Sequence, residues 1–121
     1  MWEGMNQRQF PRIKYRCIVT LKQKGKGPST VSSITENVGL GGVCVLLQRG
    51  LDIFSPVNLE LSLEDGKPPL KLQGTIVWVV RRRAIKKVVS FDTGIEFLEL
   101  SAEDKARIEA ALDKAGLGVH P

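Results

Sequence analysis

Apolar and polar residues alternate along most of the chain, and a period of two predicts strands. Ile13, Tyr15, Cys17, Val19 and Leu21 alternate with Lys14, Arg16, Thr20 and Lys22, giving a half-buried first strand. Gln23 to Ser29, with Gly25, Gly27 and Pro28, reads as a turn. Thr30 to Glu36 is rich in β-branched residues and reads as a second strand, and Val43 to Leu47 as an almost wholly apolar third. Gln48 to Pro56 is irregular. Val57, Leu59, Leu61 and Leu63 then alternate with Asn58, Glu60 and Ser62 as a fourth strand, closed by a hairpin connection at Glu64 to Pro69. Leu70, Leu72, Gly74, Ile76, Trp78 and Val80 share one face of a long fifth strand, with Gly74 marking a bend or bulge. Arg81 to Lys87 forms a basic hairpin tip, and Val88 to Phe97 returns as the sixth strand.

The pattern changes period after that. Ser101 stands as an N-cap before Ala102-Glu103-Asp104, whose acids suit the start of a helix. Ile108, Ala111, Leu112 and Ala115 make a short apolar stripe, and Gly116 is placed to stop the helix. Six strands with short connections and one late helix predict an all-β fold. The expected form is a six-stranded antiparallel β-barrel with a C-terminal α-helix, because closure removes exposed sheet edges. Residues 1–11 show no periodicity and read as a flexible leader, 12–116 as a single domain and 117–121 as a tail.

A length of 121 residues allows one core without disulfides or metal. Cys17 and Cys44 fall in apolar strand patterns, where a thiol behaves as a small hydrophobe. With His120 the only histidine, neither a zinc site nor a Cys-His pair assembles, so no metal and no cofactor are expected. No apolar run reaches the roughly 18 residues that span a bilayer. The opening Met1-Trp2-Glu3-Gly4 lacks a secretion signal, so the expected location is cytoplasmic. The net charge is +5 and it is segregated. Arg8, Arg12, Lys14, Arg16, Lys22, Lys24 and Lys26 face only Glu3 in the first thirty residues, and Arg81, Arg82, Arg83, Lys86 and Lys87 form a second cluster. That distribution fits an anionic partner: nucleotide, nucleic acid or phospholipid. No nucleophile with a base, no carboxylate pair and no GxxxxGK[ST] loop is present, so no enzyme is expected.

Two short stretches carry the candidate chemistry. Asn37-Val38-Gly39-Leu40-Gly41-Gly42 reads as a six-residue loop between strands two and three. Its glycines suit positive φ or the close approach of another group, either in a tight turn or against a ligand. Arg8 and Arg12 lie four apart just before the first strand, where an extended backbone points both the same way. Pro11 stiffens the link between them. Their planar guanidinium forks suit both phosphate and the O6/N7 edge of guanine.

Arg8-x-x-x-Arg12 followed by Asn37-x-Gly39-x-x-Gly42 resembles the two-part signature of PilZ domains, the bacterial receptors for cyclic di-GMP: RxxxR, then (D/N)xSxxG. The context agrees: Phe10-Pro11-Arg12-Ile13 before the first strand, Gly41-Gly42-Val43 into the third, and Thr93-Gly94-Ile95-Glu96-Phe97 before the helix. The resemblance spans Arg8 to Leu112 and implies a six-stranded barrel with a C-terminal helix. It also implies a cyclic di-GMP site in which Arg8 and Arg12 clamp a guanine edge and a phosphate. Asn37 would bond a guanine edge, and the backbone from Gly39 to Gly42 would lie against the ligand. Trp78 would flank the base or else sit in the core. Gly39 replaces the usual Ser and removes one hydroxyl, and Gln7 stands where many members carry another Arg. Arg12-x-x-x-Arg16 is a second register of the motif, with Arg16 on the strand's polar face.

The implied function is a stand-alone receptor and adaptor, whose leader orders on the nucleotide and so presents or hides a surface for an effector protein. It would act in motility or biofilm regulation. The alternatives are a PilZ-like interaction module that does not bind the nucleotide, and a small nucleic-acid-binding barrel. Aromatic residues make up only 6% of the chain and few lie among the charges, which leaves the last reading short of stacking platforms.

Overall fold

Each alternating segment pairs with a neighbour until the sheet closes on itself. The structure, a computed structural model, describes residues 12–13, 15, 17–23, 30–63, 65–85 and 88–115. Its elements are β1 (Arg12–Ile13), β2 (Ile18–Gln23), β3 (Thr30–Gly39), β4 (Gly42–Leu47), β5 (Pro56–Ser62), β6 (Leu70–Ile85), β7 (Val88–Phe97) and α1 (Ala102–Ala115). The strands run antiparallel in the order β1-β3-β2-β5-β6-β7-β4, and a further β3–β4 pairing closes the last six into a barrel. The expected six-stranded barrel with a C-terminal helix is what forms; β1 is a short addition on β3.

Alternation fixes the inside. Val19 and Leu21 of β2, Val43, Val45 and Leu47 of β4, and Val57, Leu59 and Leu61 of β5 all point into one core. Leu70, Leu72 and Ile76 of β6 join them, with Ile95 and Phe97 of β7. Ile108, Ala111 and Leu112 bring α1 onto the same cluster. Ser101 caps that helix, its hydroxyl accepting the Asp104 N–H at 3.0 Å. Arg107 ties the helix to the β5–β6 turn by a two-pronged bond to Asp65, with Nε to Oδ2 and Nη2 to Oδ1 both at 3.1 Å.

Four expectations change. The first strand does not run unbroken through residues 13–22. Arg12–Ile13 pairs with Gly39–Val38, whereas Ile18–Lys22 pairs with Ile34–Thr30. Thr35, 1% exposed, bridges the gap: its Oγ1 accepts the Cys17 N–H at 2.9 Å and donates to the Tyr15 carbonyl at 2.7 Å. Second, the loop at Asn37 to Gly42 is mostly strand. Only Leu40 and Gly41 connect β3 to β4, because Val38 keeps pairing with both Ile13 and Val43. Third, Gly74 is not the bulge. It stays in register with Val57 and Phe97, and the irregularity falls between Ile76 and Trp78. The inward set therefore switches from even to odd numbers, so Val79 packs on the core while Val80 is exposed. Fourth, Arg81 to Ile85 belongs to β6 and is not loop. The leader at 1–11, the tail at 117–121 and the helix stop at Gly116 lie outside the described residues. Among the described residues no helix is long and apolar enough to cross a membrane.

Thr35→Val keeps the side chain's shape but removes the hydroxyl's two hydrogen bonds, to the Cys17 N–H and to the Tyr15 carbonyl. Each contributes about 0.5–1.5 kcal/mol. Urea unfolding should show a clear loss of stability in Thr35→Val, whereas Thr35→Ser should retain most of it.

Candidate functional site

Two irregularities in the ladder turn side chains outward on the same stretch of wall. In β3 the register shifts between Thr35 and Asn37, making Glu36 the extra residue of a bulge. Thr35 points inward before it and Val38 after it, so Glu36 and Asn37 both fall on the outer face. In β6 the shift between Ile76 and Trp78 does the same for Trp78. The registers then define one row across four strands: Asn37 opposite Cys44, Cys44 opposite Gly94, and Gly94 opposite Trp78.

Trp78 lies flat over that row. A Cβ added at Gly94 would fall on the indole Nε1 and Cδ1, so only glycine lets the ring cover β7. Trp78 is half-buried and stands outside the core cluster. Asn37 is half-buried, and its Oδ1 is enclosed with no hydrogen-bond donor among the described residues. Gly42 is needed for a related reason, since a Cβ there would strike the Ile95 carbonyl oxygen. Neither Gly39, Gly41 nor Gly42 takes positive φ; among the described glycines only Gly66 does, at 76°. Close approach, not turn geometry, is what Gly42 provides.

The six candidate residues are placed as follows. Asn37, Gly39, Gly42 and Trp78 belong to one region of wall formed by β3, β4 and β6 with β7 between. The backbone of Arg12 pairs with Gly39. Arg8, Gln7, Arg16 and the side chain of Arg12 lie outside the described residues. A cavity of about 600 Å³ beneath α1, lined among others by Tyr15, Leu63 and Arg107, contains none of the six.

The pattern of the chain gave no sign of an ionic cluster bordering this row. Cys44 is buried but on the outer face, and its Sγ donates to Glu36 Oε2 at 3.4 Å. Arg82 Nη1 stands 3.7 Å from Glu36 Oε1, and its Nε 3.6 Å from Asp92 Oδ2. Burial first, then the neighbouring Glu36, pushes the Asp92 carboxyl above its ordinary pKa, with Arg82 acting in the opposite sense. Donor atoms of Glu36, Cys44 and Asp92 lie within 4.8 Å of one another, close enough for a cation, but the Arg82 guanidinium already spans the two carboxylates. No local pattern joins residues so far apart in the chain. Only the bulge and the β4–β7 and β6–β7 registers do.

The chain belongs to the PilZ domain family, whose model matches residues 6–114. No curated protein matches it. Among solved structures, it is similar to the c-di-GMP-bound PilZ domain of YcgR from Escherichia coli, at 18% identity and a TM-score of 0.67, covering 91% of this chain and 98% of that one. It is also similar to the K. pneumonia MrkH–c-di-GMP complex, at 14% identity and a TM-score of 0.71, covering 93% of this chain and 54% of that one. Bacillus subtilis MotI/DgrA, an inhibitor of motility, matches at 18% identity and a TM-score of 0.69, with 94% of this chain covered and 53% of that one. The chain thus spans about half the length of MrkH and MotI/DgrA. At these identities the likeness establishes the fold.

Two outcomes test this geometry. Gly94→Ala should lift the indole off the wall, at a stability cost of about 1–3 kcal/mol as for other overpacked sites. In a Trp2→Phe background the fluorescence should shift to longer wavelength as Trp78 becomes more exposed. For Asp92 the sign follows from its raised pKa: the fold favours the protonated carboxyl, so its contribution is present at low pH and is lost as pH rises through the raised value. Urea midpoints measured between the ordinary carboxylate range and neutrality should fall with pH in the wild type, and fall less in Asp92→Asn.

Proposed function

We propose that the protein is a receptor for cyclic di-GMP and passes the signal to an effector protein by contact, without catalysing a reaction. The observation that carries this reading is the meeting of the two halves of the motif: β1 sets the backbone of Arg12 against Gly39, on the strand whose Asn37 keeps an enclosed acceptor without a donor. A buried acceptor without a partner costs about 1–3 kcal/mol, and a guanine N–H would satisfy it. Arg8 and Arg12 supply guanidinium groups for a phosphate and for the O6/N7 edge of guanine. Gly39 and Gly41 present no side chain to the ligand, whereas the room that Gly42 leaves is taken by the Ile95 carbonyl, and Trp78 offers an indole face for the base. The c-di-GMP complexes of YcgR and MrkH, which share the fold, support the same ligand for this chain.

In this reading residues 1–11 are a leader that becomes ordered on the nucleotide, and the change presents or hides a protein surface. The setting is cytoplasmic, and the process is motility or biofilm control, as the motility inhibitor MotI/DgrA suggests. A second reading has a specific observation behind it. Gly39 lacks the hydroxyl that the motif's Ser would supply, a loss of about 0.5–1.5 kcal/mol for a neutral hydrogen bond, which favours a PilZ module that contacts partners without the nucleotide.

Calorimetric titration with cyclic di-GMP, with GTP as control, separates the two. The receptor reading expects saturable, specific binding that weakens at least about tenfold in Arg8→Ala and in Arg12→Ala, as loss of a charge-assisted bond implies. No heat at high micromolar nucleotide would leave the interaction module standing.

A further inference from the structure

We infer that Glu36 is the residue that selects guanine in this site, its carboxylate accepting from the N1–H and the exocyclic N2 amine of a base stacked on Trp78. The inference rests on the receptor reading and adds to it a contact that the two-part motif does not contain.

The bulge is what makes it possible. In an unbroken β3 Glu36 would still face outward, opposite in sense to Thr35, but Asn37 would turn inward and the two could not share a ligand. As the extra residue of the bulge, Glu36 shares the outer face with Asn37. Its Oε2 lies 3.4 Å from Cys44 Sγ, Cys44 is paired with Gly94, and Gly94 is the residue that the Trp78 indole covers. Carboxylate and indole therefore occupy adjoining places on one row. Adjacent strands are about 4.8 Å apart, so a two-ring base stacked on the indole overhangs the Cys44 position and brings its edge to Glu36.

The carboxylate has acceptor capacity to spare. A thiol is a weak donor, the Asp92 carboxyl supplies one hydrogen bond, and Arg82 Nη1 at 3.7 Å stands beyond hydrogen-bond length; a carboxylate offers about four lone-pair sites, which these contacts do not fill. The Glu36 side chain is 37% exposed, so a ligand can reach it. Guanine presents two adjacent donors on its Watson–Crick edge, which a carboxylate accepts together. Adenine places an N1 lone pair there, which the same carboxylate repels. Selection thus has an attractive and a repulsive part.

The test titrates wild type, Glu36→Gln and Glu36→Ala with cyclic di-GMP, cyclic di-IMP and cyclic di-AMP. Hypoxanthine keeps N1–H but lacks the amine, so cyclic di-IMP isolates one bond. The wild type should prefer cyclic di-GMP over cyclic di-IMP by about tenfold or more, with cyclic di-AMP weaker still. Glu36→Ala should bring the first ratio close to one, and Glu36→Gln, which keeps the shape and a neutral acceptor, should fall between. Equal thermal midpoints establish that the variants are folded; if Glu36→Ala is not, the Glu36→Gln ratio decides. A wild-type ratio retained in the variants, or wild type taking both nucleotides equally, overturns the selector role and leaves the receptor reading intact. Wild type binding none of the three overturns both.

Discussion

One strand serves three neighbours. β3 pairs with β2 over Thr30 to Ile34, with β1 at Val38 and Gly39, and with β4 from Thr35 to Val38. No single straight register meets all three demands, so the ladder breaks where the partner changes. On one side the break is the gap before β2, bridged by the Thr35 hydroxyl. On the other it is the bulge at Glu36. Barrel closure and the outward turn of Asn37 are therefore consequences of the same constraint.

The outer wall repeats the device. A second bulge, in β6, releases Trp78 from the core at the level where Gly94 leaves room for a flat ring. Between the bulges lies a short row with an amide at one end and an indole at the other. Bulges commonly re-aim side chains beside functional sites, and here two do so on one surface. Ladder regularity is broken on both sides of the candidate row, and strict alternation is kept in β2 and β5.

Charge is arranged around this row with a similar division. Of the motif's arginines Arg12 begins β1 and Arg8 stands four positions earlier in sequence, while Arg82 reaches in from the far end of β6 to lie across Glu36 and Asp92. Two carboxyls brought together at a half-buried wall repel one another, and the guanidinium offsets that repulsion without a tight hydrogen bond to either. The hairpin of β6 and β7 is thereby joined electrostatically to the bulged strand, a link between the site and a ribbon that carries basic residues.

Residue order alone determined most of the elements and the inward faces of β2, β4 and β5. Val57-Asn58-Leu59-Glu60-Leu61 can bury only one face, and Ser101 ahead of Glu103 and Asp104 starts a helix wherever it packs. The spacing of Arg8, Arg12, Asn37 and Gly42 also sufficed to indicate the family. Tertiary structure decided what depends on a partner strand: that Asn37 to Gly39 is strand, that Gly74 keeps register while the bulge falls near Val77, and that Cys44 faces outward. It alone brought Glu36, Arg82 and Asp92 together. The reason is that alternation is a property of one strand, whereas a bulge is a mismatch between two, and nothing in either strand's own composition records it.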